Sequence, residues 1–214
     1  MEHNPIIRNG WIEVITGCVF SGKSDEGSKR ITKECYAKGR NVLILTPNTG
    51  RRKITICHSG EEVDTKDQFV SRAGKSHPAF EIPHDNPEKV FELLKEGTTT
   101  VVFEEAQFFN KTLIDVCHCL ATKYKLRVIV IGLDKDLFNR GFGSMPELMI
   151  AAESVKKELA TCLHCGSQNA NSSWLPPKYW KELKEGNILP GDAFEPACRS
   201  CYSDLKEEHG LPQL

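Results

Sequence analysis

Residues Gly17–Ser24 read GCVFSGKS and follow directly on the apolar run WIEVI, Trp11–Ile15. The pattern is Gly, four residues, Gly, Lys and Ser/Thr, and it makes mechanical sense directly after a strand. Glycine lets the backbone curl so that successive N–H groups converge on phosphate oxygens. In that geometry Lys23 reaches the outer phosphates, and Ser24 offers a hydroxyl to magnesium at the start of a helix whose dipole favours anions. Gly17, Ser21, Gly22, Lys23 and Ser24 are therefore expected to cradle a nucleoside triphosphate. The alternative reading is an ordinary glycine-containing turn.

Working outward, Asp25–Lys38 carries acidic residues early and basic ones late, as a helix dipole prefers, and Gly39 supplies a stop. Asn41–Leu45 (NVLIL), Thr99–Phe103 (TTVVF) and Arg127–Leu133 (RVIVIGL) are uninterrupted apolar runs, the mark of strands covered on both faces. Helices are expected over Pro87–Glu96, Lys111–Lys123 and Pro146–Leu159, the first opened by Asn86 and Pro87 and closed by Gly97. Strand, phosphate loop, helix and strand form a βαβ unit, so the fold class is α/β with a mostly parallel sheet and helices on both faces. Thr46–Lys53 reads as a loop and Ile54–Gly60 as a short strand, while Glu61–His84 divides into loop and short elements. Arg51, Arg52 and Lys53 are either a solvated surface or a clamp for substrate phosphate; His58 reads as structural.

The run TTVVF leads straight into Glu104 and Glu105. Acids at the end of a neighbouring strand are what phosphoryl transfer needs beside a phosphate loop, one to help hold magnesium and one to accept the proton of the attacking hydroxyl. Successive strand residues point to opposite sides, so the two need not share a task.

With 214 residues, 39% of them hydrophobic, the chain can bury one substantial core and a small appendage. A net charge of −1 with dispersed basic residues gives no reason to expect nucleic acid or an anionic membrane as a partner. With no signal-peptide stretch and no run long enough to span a bilayer, a cytoplasmic location is expected. Nine cysteines then read as reduced thiols or metal ligands. Cys162 with Cys165 and Cys198 with Cys201 form two CxxC knuckles, a pattern for a closed, structural zinc site. A redox dithiol is the competing reading, and neither CxxC is expected to follow a strand at the head of a helix. Cys117, His118 and Cys119 are consecutive on a helix and cannot close on one ion, so small buried thiols are expected there.

Taken together, IEVITGCVFSGKS (Ile12–Ser24), VVFEEAQFF (Val101–Phe109), VIVIGLDKD (Val128–Asp136), FGSMPEL (Phe142–Leu148), AESVKKELATCLHCG (Ala152–Gly166) and CRSCY (Cys198–Tyr202) resemble the zinc-containing, type II thymidine kinases, in order and spacing, from Trp11 to Tyr202. The resemblance implies a P-loop, RecA-like kinase domain over residues 1–158 and a zinc-ribbon domain with a lasso loop over 159–214. It implies transfer of the γ-phosphoryl group of ATP to the 5′-hydroxyl of a deoxynucleoside, with Mg²⁺ and a structural Zn²⁺, in a homotetramer. It maps the general base to Glu105, the acid beside magnesium to Glu104, and base-packing positions to Phe108, Leu133 and Phe142. Val19 stands where a pocket methionine is usual and Leu137 where an aromatic is usual. Arg52 is the remnant of an Asp-x-Arg-Tyr signature, and Ile188 and Phe194 are the lasso's substrate positions. Glu104 replaces the family's usual Asp, and Leu189–Phe194 replaces a Gly-Gly-x-Glu-x-Tyr pattern, so that Pro190 and Phe194 alter the lasso. Two further readings follow from these departures: a kinase of a modified pyrimidine deoxynucleoside, and a nucleotide-binding regulatory module with weakened turnover.

Overall fold

The computed structural model describes residues 10–49, 53–56, 59–184 and 189–211. In chain order the elements are β1 (Trp11–Gly17), α1 (Lys23–Tyr36), β2 (Asn41–Pro47), β3 (Lys53–Thr55), β4 (Glu62–Asp64), β5 (Gln68–Val70), β6 (Ser76–Pro78) and β7 (Phe80–Ile82). There follow α2 (Val90–Leu93), β8 (Thr98–Phe103), α3 (Thr112–Thr122), β9 (Arg127–Gly132), α4 (Met145–Ala151), β10 (Ser154–Glu158), β11 (Ser172–Trp174), α5 (Trp180–Lys184), β12 (Glu195–Ala197) and α6 (Arg199–Glu208).

Six strands form one sheet in the order β10-β1-β9-β8-β2-β7, and every pairing in it is parallel. The three central runs are buried on both sides because each face has its own cover. On one face Leu113, Val116 and Leu120 of α3 and Met145 and Leu148 of α4 pack on Val14, Val101, Phe103 and Val128. On the other, Ile31 of α1 and Phe69 of β5 pack on Ile15, Val102, Ile129 and Ile131. Both cores are contiguous apolar clusters, the arrangement that continuous rather than alternating strand patterns require. Cys117 is fully buried and burial pushes its thiol up, in keeping with a core residue.

One expectation is overturned. Pro146–Leu159 is not a single helix: α4 stops at Ala151, and Ser154–Glu158 is β10, paired with Glu13–Gly17 at the sheet edge. The helix-forming Glu and Lys residues of SVKKE are overridden by pairing, since Glu153 both donates its N–H to the Ile12 carbonyl (3.0 Å) and accepts the Ile12 N–H on its carboxylate (2.7 Å). The helix expected over Pro87–Glu96 is shorter, one 3₁₀ turn at Pro87–Lys89 running into α2. The polar stretch 61–84 holds three hairpin arms, β4, which pairs with β3, and β5 and β6, which pair with each other, and also a sixth sheet strand, β7.

The C-terminal unit is small. Antiparallel β11 and β12 pack Trp174 and Ala197 against Tyr202 of α6, and Trp174 also meets the rings of Trp180 and His209. No helix among the described residues is long and apolar enough to cross a membrane.

Candidate active site

The ends of β1, β2 and β8 and the first residue beyond β9 open on one cleft, at the carboxyl edge of the sheet where open α/β folds bind ligands. Its lining includes Val19, Lys23 and Ser24 from the phosphate loop, Glu104 and Glu105 after β8, and Leu133 after β9. Gly17 has φ 150°, and a Cβ there would lie 2.3 Å from the Glu158 carbonyl oxygen and 2.6 Å from Ser21 Oγ. The turn therefore requires glycine. Gly22, at φ 86°, precedes the first turn of α1, where Asp25 and Glu26 follow. Ser21 Oγ is buried and has no hydrogen-bond partner among the described residues. An unsatisfied buried hydroxyl in a loop that leads into a helix N-terminus fits a phosphate oxygen.

The acid pair is held by a second device. Glu105 has φ 49° and ψ 41°, a left-handed conformation uncommon outside glycine, and strain of this kind gathers at functional sites. Gln107, itself buried, donates from Nε2 to Glu105 Oε2 (2.5 Å) and accepts the Leu133 N–H on Oε1 (3.0 Å). The carboxylate after β8 is thereby tied through one amide to the backbone after β9. Two glycines make room for this residue: a Cβ on Gly132 would sit 2.7 Å from the side-chain Oε1 of Gln107, and one on Gly143 2.2 Å from its main-chain carbonyl oxygen. Gln107 has no role in the sequence reading, although its place two residues after Glu105 and before Phe108 was a usable signal.

Of the residues expected to meet the acceptor, Val19, Phe108 and Leu133 line the cleft. Phe142 stands behind them, its ring edge-on to Phe108 at 5.6 Å between centroids. Leu137 and Phe194 do not line it: the Leu137 carbonyl accepts the Tyr202 hydroxyl, and Phe194 packs beside Leu175, Leu189 and Ala193. From the lasso stretch, Gly191 reaches the cleft. Arg52 and Ile188 lie outside the described residues, as do Arg51 and His58.

The Sγ atoms of Cys162, Cys165, Cys198 and Cys201 lie within 4.8 Å of one another. Burial would raise the Cys162 thiol, but N–H groups of Cys198, Cys165 and His164 directed at its sulfur outweigh this and bring it to about 6. Four converging sulfurs fit zinc in a closed structural site. The expectation about helix heads is corrected, for Cys198 does follow β12 and caps α6. The thiol cluster nonetheless joins both knuckles, with Cys165 and Cys198 sulfurs 3.8 Å apart, which a lone redox dithiol does not need. This unit also braces the phosphate loop: Cys18 Sγ donates to the Ala170 carbonyl (3.3 Å) and the Val19 N–H to Ser173 Oγ (3.2 Å). Burial pushes the Cys18 thiol up, so it packs rather than reacts.

Residues 10–202 match the family model described as thymidine kinase. The chain is 37% identical over 195 residues to a thymidine kinase of Rhodothermus sp. (strain ITI 518), an alignment covering 90% of this chain and 81% of that protein.

Proposed function

The chain belongs to the thymidine kinase family, and on that premise we propose that it transfers the γ-phosphoryl group of ATP to the 5′-hydroxyl of thymidine with Glu105 as general base. The observation that carries this reading is the meeting of Lys23, Ser24, Glu104 and Glu105 in one cleft. Lys23 and the loop N–H groups hold the outer phosphates. Glu105, aimed by Gln107, takes the proton of the attacking hydroxyl. Ser24 and Glu104 are the residues that would hold magnesium, which would offset the negative charge of the phosphates. Phe108 and Leu133, with Phe142 behind, supply an apolar wall for the base, and Val19 faces the same space. Most of the catalysis comes from positioning and electrostatic stabilisation rather than covalent chemistry. The four cysteines hold structural zinc, and the protein works as a homotetramer, as the family resemblance implies.

Steady-state phosphorylation of thymidine with Mg-ATP, compared between wild type and Glu105→Gln, tests the assignment. The variant is expected to lose roughly 10²- to 10⁴-fold in kcat with ATP binding retained. Undiminished turnover removes Glu105 from the role. A nucleoside panel on the wild type addresses Val19: preference for a 5-substituted pyrimidine over thymidine shifts the acceptor, and ATP binding with no phosphorylation of any nucleoside returns the regulatory reading.

A further inference from the structure

Four segments distant in sequence converge at the mouth of the cleft. Arg72, just beyond β5, pairs with Asp192 of the lasso, and its Nη1 also donates to the Thr55 carbonyl at the end of β3 (3.3 Å). Thr55 Oγ1 in turn donates to the second oxygen of Asp192 (2.8 Å). The Arg72 guanidinium lies over the Phe20 ring, 4.5 Å from its centroid, and Phe20 is held outward at the tip of the phosphate loop by a left-handed φ of 59°. Both carboxylate oxygens of Asp192 are thus engaged from the opposite rim. That rim is anchored, since the Ala73 N–H donates to Asp25 Oδ1 (3.3 Å) and His77 Nε2 meets Ser28 Oγ at 2.9 Å, both partners on α1.

We propose that Arg72 and Asp192 form a latch that fastens the lasso across the cleft, with Arg72 a positioning residue for acceptor binding rather than a phosphate ligand. Gly191, the neighbour of Asp192, lines the cleft, so the pairing sets how closely the lasso backbone approaches the acceptor. Arg72 also lines the cleft, and an unpaired guanidinium there would be free to turn towards phosphate. Asp192 and the Phe20 ring hold it at the rim instead. The nucleoside readout rests on the kinase reading above, whereas latch closure does not, and a test with two readouts separates them.

Full-length, zinc-loaded wild type, Arg72→Gln, Asp192→Asn and the double variant are compared. Each has its KM for thymidine, its affinity for ATP and its rate of limited proteolysis within the lasso measured. Each single variant is expected to raise the thymidine KM about three- to ten-fold and to speed lasso cleavage, the range of a partly exposed, networked ion pair with a cation–π contact. ATP affinity stays within about two-fold, and the double variant is no worse than Arg72→Gln alone, because both changes remove the Arg72–Asp192 pair. Additive effects in the double variant, or unchanged cleavage in both singles, overturn the latch. A loss of ATP affinity in Arg72→Gln with Asp192→Asn unaffected makes Arg72 a phosphate ligand and overturns it too. If the wild type phosphorylates no nucleoside, the kinase reading fails while the proteolysis comparison still decides the latch.

Discussion

The floor of the cleft and its cover are built by different means. Lys23, Glu105 and Leu133 follow the ends of β1, β8 and β9, strands locked in parallel register between two apolar layers, so main-chain geometry sets their positions to within a side chain's reach. The cover comes from two short hairpins and the 189–194 stretch, which lie outside that sheet and meet through side chains: Arg72 with Asp192, Thr55 with Asp192, Arg72 over Phe20. A site whose chemistry stands on a rigid floor and whose closure rests on a few exchangeable contacts can admit an acceptor without disturbing the phosphate loop.

Stripping the zinc proposed for the four-cysteine site is expected to break the comparison most severely. The unit holding the cover has only two small apolar clusters, one around Trp174, Ala197 and Tyr202 and one around Leu175, Leu189 and Ala193, and loss of a bound metal would leave its four cysteine thiols unligated. Structural zinc contributes on the order of 10 kcal/mol to folding in such small units. A chelator is expected to unfold 160–211 while the six-stranded sheet persists. The readout is direct because two of the three tryptophans, Trp174 and Trp180, lie in that unit and Trp11 lies in β1. Fluorescence should change strongly with far-ultraviolet dichroism largely retained. A global, single-step collapse of both signals would mean that floor and cover are not separable.

A milder break lies within the floor. Gln107→Leu leaves the Leu133 N–H without its acceptor and Glu105 without the amide that aims it. Turnover is expected to fall about 10- to 100-fold, equivalent to roughly 1.4 to 2.7 kcal/mol of barrier. The thymidine KM should change little, and the exposed partners should lower stability by about 1 to 3 kcal/mol. A rise in KM with unchanged kcat would place Gln107 with the cover instead.

The same division governs what could be read from the residues in order. The floor was legible: the phosphate loop, three of the strands and the acid pair announce themselves through local pattern, continuous apolar runs ended by glycine or acid. β10 was not, because an exposed edge strand of Ser, Val, Lys, Lys and Glu carries no apolar pattern and is created by pairing with β1. The helix-heading position of Cys198 was hidden for a similar reason, since β12 exists only through β11. Gln107 sat in plain view, but its role depends on Gly132 and Gly143 clearing a slot for it, a long-range fact. The rim contacts of Arg72 and Asp192, 120 positions apart, have no local signature at all.

The smallest effect expected sharpens the comparison at the end of the floor remote from the cleft. Glu13 is the one charge in the run WIEVI, and it is buried. It accepts from Arg127 Nε (2.5 Å) and Trp11 Nε1 (2.6 Å) and pairs with Arg30, while Arg127 also reaches Glu34 (2.7 Å). Burial alone would raise the Glu13 carboxyl, but the hydrogen bond and charge of Arg127, then Trp11 and Arg30, outweigh it and hold it below the ordinary 4.5. A carboxyl depressed in the folded state stabilises fully above its unfolded value, and that stabilisation is lost as pH falls from about 4.5 through the folded value. Melting temperature measured from pH 7 to pH 3 should therefore fall more steeply in wild type than in Glu13→Gln, which has already lost about 1 to 2 kcal/mol at neutral pH with the charge-assisted bonds. Because this network sits at the amino ends of the strands, kcat at neutral pH should be the same in both proteins. A reduced kcat in Glu13→Gln would mean that the floor transmits changes along the strands to the acid pair, and the distinction between a rigid floor and an adjustable cover would then have to be redrawn.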